Sequence, residues 1–109
     1  YYYGNANSTV NVKNSTFATA GKGICIYSES AKAYNLNVDG CTFTSSDTAT
    51  DKAAIQMHTE LGISGNVKIN KSTATGFANI NNGLWNELNN STKVTTDVFD
   101  IWVDGTKVH

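Results

Sequence analysis

The chain has 109 residues, a length that fits one domain, with a net charge of −1 and eight basic residues, all of them lysine. So even a balance, without a basic cluster, argues against nucleic acid, which is held through concentrated Lys and Arg. Asn, Ser and Thr make up about a third of the residues, proline is absent, and no apolar run approaches membrane-spanning length.

The opening Tyr1-Tyr2-Tyr3-Gly4 reads as a cut through a longer polypeptide, with any signal peptide lying upstream. Val10 and Val12 then alternate with polar residues, the period of a strand that turns one set inward. Lys13-Asn14 marks a corner, since Asn tolerates the left-handed backbone of a sharp bend. Ser15 and Phe17 form a second inward pair beyond it. Ile24-Cys25-Ile26-Tyr27 reads as a third strand.

This unit returns at intervals of roughly 30 residues. Val10–Phe17 matches Leu36–Phe43, with a corner at Asp39-Gly40, and more weakly Val67–Ala74, with a corner at Asn70-Lys71. Ile101 and Val103 open a partial fourth copy, in which Val103-Asp104-Gly105 repeats Val38-Asp39-Gly40. Ser45 to Lys52 reads as a polar loop insertion. In the third-strand family, Ile24–Glu29 aligns with Ile55–Glu60 and then with Asn82–Glu87. The alternation is weakest from Asn79 to Ser91. No segment shows a helical period.

The units Val10–Phe17, Leu36–Phe43 and Val67–Ala74 resemble the repeats of right-handed parallel β-helix proteins, the pectin-lyase-like superfamily. They are similar in particular to β-helix regions of large exported or surface-attached bacterial proteins. The resemblance spans essentially the whole chain. It implies an all-β fold, a right-handed parallel β-helix (solenoid) of about three to four turns, with residues 1–109 as one segment near the C-terminal end of a longer protein. The alternative is a β-sandwich in which Val103-Asp104-Gly105-Thr106 makes a hairpin turn.

That resemblance also sets a chemical test. Pectate-lyase-like catalysis uses an arginine base beside calcium-binding acids, and this chain has no arginine. Polygalacturonase-like members use clustered aspartates, as carboxylate chemistry on glycosides requires. Asp39, Asp47, Asp51, Asp97, Asp100 and Asp104 show no such pairing, and Asp39 and Asp104 read as turn residues. His58 and Glu60 are the adjacent candidates for acid–base work. No Cys/His spacing suits a metal, and no cofactor is expected. Cys41 stands where other copies have Ser15 and Ser72, so Cys25 and Cys41 read as small inert residues rather than a disulfide.

One constellation stands above background. Strand alternation turns Tyr27, His58 and Trp85 outward on successive copies, with Glu29, Glu60 and Glu87 two residues further along the same face. Rings beside carboxylates suit a polysaccharide; the alternative is stacking that only stabilises neighbouring copies. The expected role is a structural or adhesive module of an extracellular or cell-surface bacterial protein, with a polysaccharide or host glycan as partner. The competing expectation is the non-catalytic end of a polysaccharide lyase or glycoside hydrolase.

Overall fold

The computed structural model describes residues 1–4, 6–27, 30–49, 51–78 and 80–109. Its strands in chain order are β1 (Ser8–Lys13), β2 (Thr16–Thr19), β3 (Ile24–Ile26), β4 (Ala33–Asp39), β5 (Thr42–Ser45) and β6 (Ile55–His58). Next come β7 (Ser64–Asn70), β8 (Thr73–Thr75), β9 (Trp85–Asn89), β10 (Val94–Thr95), β11 (Phe99–Val103) and β12 (Thr106–Lys107). A short 3-10 turn over Asn81–Gly83 precedes β9.

Three sheets result: β1-β4-β7-β11-β12, β2-β5-β8, and β3-β6-β9-β10. The chain visits them in a fixed order, so β1, β2 and β3 each lie in a different sheet, as do β4, β5 and β6, and again β7, β8 and β9. Like strands pair in parallel and in the register that the repeat implies. Val10, Leu36, Val67 and Ile101 stand opposite one another, as do Val12, Val38, Ile69 and Val103. Phe17 lies opposite Phe43, their rings stacked at 4.8 Å and 10°. These rows form the core, with Leu36, Val38, Phe43, Val67 and Ile101 fully buried.

The corners arise from short polar residues. Asn14, Gly40 and Lys71 all take left-handed backbone, at φ of +50°, +65° and +48°. Beyond each bend a small side chain turns back on the carbonyl two residues earlier. The Ser15 hydroxyl donates to Lys13 O at 2.8 Å, the Ser72 hydroxyl to Asn70 O at 2.9 Å, and the Cys41 thiol to Asp39 O at 3.6 Å. Cys41 thus does a serine's work in an apolar setting. Both cysteines are free and buried, and burial pushes the Cys25 thiol pKa up. On the outer face of the first sheet, amides bridge neighbouring strands: Asn37 donates to Asn11 at 2.8 Å, and Asn66 to Asn35 at 2.9 Å.

The all-β reading stands, but the expectation of a pectin-lyase-like parallel solenoid is corrected. β10 pairs antiparallel with β9, and β12 antiparallel with β11, so two of the three sheets are mixed. The body is compact, with extents of 31 × 27 × 23 Å. At the second hairpin, Asp104 and Gly105 both take left-handed backbone, the geometry of a tight two-residue turn, so the chain folds back instead of continuing.

Packing in the inner rows sets the first expected result. Leu36→Ala removes a fully buried side chain between Val10 and Val67, and should cost about 2–5 kcal/mol in chemical denaturation. A loss below about 1 kcal/mol would show that the row is loosely packed.

Candidate functional site

Of the six residues expected on one outward ladder, the five that are described do not assemble there. β6 and β9 pair with Ile55 opposite Trp85, Gln56 opposite Asn86, Met57 opposite Glu87 and His58 opposite Leu88. The third copy therefore begins at Trp85, three residues later than the sequence alignment from Asn82 implies. The 3-10 turn absorbs the difference, with left-handed Asn81, Asn82 and Gly83 in succession. An odd shift exchanges the two faces of a strand. Trp85 (7 % exposed) accordingly continues the inward row of Ile24 and Ile55, and Glu87 (0 %) that of Ile26 and Met57. Leu88 takes the outward place expected for Trp85.

Tyr27 and His58 do lie on one face, but their rings meet edge to face, at 5.9 Å and 88°, not as a coplanar strip. Tyr27 also stacks on Tyr3, at 6.3 Å and 25°. His58 is buried, and the Lys22 ammonium lies 3.4 Å from its Nε2. Donation by that ammonium makes Nε2 the acceptor and places the imidazole proton on Nδ1. Burial first, and then the Lys22 charge, hold the His58 pKa below its ordinary value, so the ring is neutral at pH 7. Glu60 accepts the Asn90 N–H at 3.1 Å and braces the loop after β9. Glu29 lies outside the described residues. Among the described residues, no group of three or more His, Cys, Asp or Glu side chains is placed to hold a metal ion.

The arrangement that sets this molecule apart lies at its two ends. At one end, β1, β2 and β3 are the outer strands of the three sheets, bridged among the described residues at Ile26 by Tyr2. Their inward residues Val10, Val12, Phe17 and Ile24 are half-buried, although Leu36, Val38, Phe43 and Ile55, opposite them one strand further in, are fully buried. A groove of about 520 Å³ opens over these four side chains, with Tyr1 and Tyr3 at its rim, 91 % and 55 % exposed. It is an apolar face with three strand edges around it.

The opposite end is closed. The β11–β12 hairpin and the segment before it fold over the interior, and Phe99 and Ile101 are buried beneath. Here the Glu87 carboxylate, turned inward by the register of β9, accepts N–H groups from Val98 and Phe99, and the His109 Nε2 at 2.9 Å. The sequence alignment placed Glu87 on the surface because it matched Asn82–Glu87 to Ile55–Glu60, three residues out of the observed register. The partners lie 11 to 22 residues downstream, and no local pattern ties them to Glu87. No protein-family model, curated protein or solved structure matches this chain, and the functional reading rests on this geometry.

Proposed function

We propose that this chain is a structural module of an extracellular or cell-surface protein, built as stacked circuits of the three sheets. One end is finished and the other is a docking face for a further β layer. The observation that carries the reading is the contrast in burial between Val10, Val12, Phe17 and Ile24 and their fully buried partners. A row of inward side chains that runs out into solvent matches a layer of the same kind, with apolar residues at alternate positions and strand spacing of about 4.8 Å. Exposed apolar patches rimmed by polar residues mark interaction sites, and open strand edges template pairing. Amide ladders such as Asn11–Asn37 support a rod-like role, since they stiffen the outer face by linking successive strands. The high Asn, Ser and Thr content and the modest charge suit an exported, solvent-facing module.

The test is association through this face. In the absence of a covering layer, the purified chain should self-associate as its concentration rises in sedimentation velocity, and should bind a hydrophobic dye. Val12→Lys should abolish both while leaving the unfolding midpoint within a few degrees, because Val12 is only half-buried. A monomer at every concentration that binds no dye, or a Val12→Lys protein as damaged as a core variant, would sink the reading.

A further inference from the structure

The geometry points to a pH-sensitive clasp: residues 106–109, the return arm of the last hairpin, form a strap held over the closed end by the His109 imidazole on the buried Glu87 carboxylate. The Glu87 side chain has no exposed surface, and its neighbours in the inward row are Met57 and Ile26. A buried carboxylate survives there only if its oxygens are filled and its charge is offset. The oxygens are filled by backbone at the start of β11 and by the strap. Val98 N–H donates at 3.1 Å to Oε2 and 3.2 Å to Oε1, and Phe99 N–H donates to Oε1.

The charge is offset by His109 alone among these donors. Its Nε2 lies 2.9 Å from Glu87 Oε2 and 2.9 Å from the Thr96 carbonyl, two acceptors, so that nitrogen carries a proton in either charge state. The ring also packs on Trp85, with centroids at 4.9 Å. Strap backbone pairs add to the closure, Ile101 N–H to His109 O at 3.1 Å and Val108 N–H to Ile101 O at 2.8 Å.

The charged groups around the clasp are few. From β9 comes Glu87; from the segment before β11 comes Asp97, 3.8 Å from Nε2 and exposed. Asp100 and Lys107 on the hairpin are exposed and pair with each other at 2.9 Å. Burial of the ring works against the imidazolium, but the Glu87 hydrogen bond, the Thr96 carbonyl and the charges of Glu87 and Asp97 outweigh it and raise the pKa above 6.5. A folded-state pKa raised in this way stabilises the closed strap fully below pH 6.5, and the stabilisation is lost as pH rises through the folded value. The strap is therefore locked in mild acid and loosened by alkali. Opening uncovers Trp85, on which the His109 ring packs.

Two readouts on the intact chain test this. In NMR titration, the His109 ring should titrate above 6.5 and the His58 ring below it, and Glu87→Gln should lower the His109 midpoint. In hydrogen exchange, the protection factors of Val98 and Phe99, corrected for intrinsic rates, should fall between about pH 5 and pH 9. The expected fall is about tenfold for each unit by which the folded midpoint exceeds that of the open strap. His109→Gln keeps a donor but cannot titrate, so its protection should be lower in acid and flat with pH. If Glu87→Gln fails to fold, the His109→Gln comparison still decides. A His109 midpoint at or below 6.5, or the same pH profile in His109→Gln as in the parent, would overturn the clasp.

Discussion

Gly65→Ala should strip the chain of a large part of its stability at room temperature. Gly65 sits within β7, paired between Tyr34 and Phe99, with φ at +144°, a region that side-chain-bearing residues rarely adopt. A Cβ there would stand 1.7 Å from the Tyr34 carbonyl oxygen and 2.6 Å from its carbon. Backbone cannot swing aside as a flexible side chain would. Moving it would disturb a fully buried Tyr34 whose ring packs edge-on against Tyr2 at 4.9 Å. Strain and repacking together place the loss above about 4 kcal/mol, against the roughly 5–15 kcal/mol that a domain has in total. Circular dichroism and urea titration check it. Gly4→Ala is the matched control, since a Cβ at Gly4 meets nothing within 4 Å, and its midpoint should not move. A folded Gly65→Ala protein with an unchanged midpoint would mean that β7 adjusts at little cost.

Phe43→Ala should cost about 3–5 kcal/mol, the range for emptying a buried aromatic site. The Phe43 ring is fully buried, stacks on Phe17 and fills the space beside Gly23, where a Cβ would lie 2.5 Å from it. Little is free to collapse into the gap, because Ala74 stands opposite Phe43 on the next strand and offers only a methyl. Phe17→Ala should cost distinctly less, since Phe17 is half-buried at the open end. The comparison is also a check on the docking face: equal losses would mean that the open end is covered in solution. Denaturant midpoints at low protein concentration separate the two outcomes.

Much of the core was legible in the residues themselves. Alternation of apolar residues with polar ones turned Val10, Val12, Leu36 and Val38 inward, and inward they lie. Asn14 and Gly40 announced their corners because few residues accept positive φ. Lys71 suited its corner less well by type, yet takes the same backbone, and its N–H is held by the Asp104 carboxylate at 2.8 Å. That contact spans 33 positions and had no local signal.

The triplet Val-Asp-Gly shows where local signals stop. At Val38-Asp39-Gly40 only Gly40 is left-handed, and the chain bends into Cys41 and Phe43, which supply an inward pair for the next sheet. At Val103-Asp104-Gly105 both turn residues are left-handed, and Thr106 and Lys107 return along β11. The residues beyond the triplet select between a corner and a hairpin, according to whether they bring apolar surface to bury.

The candidate ladder failed for a related reason. Between Asn79 and Ser91 the inward row contains Trp85 and Glu87, and an apolar–acidic alternation does not say which face is inside. By itself the sequence determined the all-β class, the stacked inward rows and the corners, because side-chain period and backbone tolerance act within a few residues. Only the tertiary structure decided the register of β9, the two antiparallel hairpins and the burial of Glu87. Each depends on hydrogen-bond donors and apolar surface brought from distant positions, and a buried carboxylate becomes tolerable only once those partners have arrived.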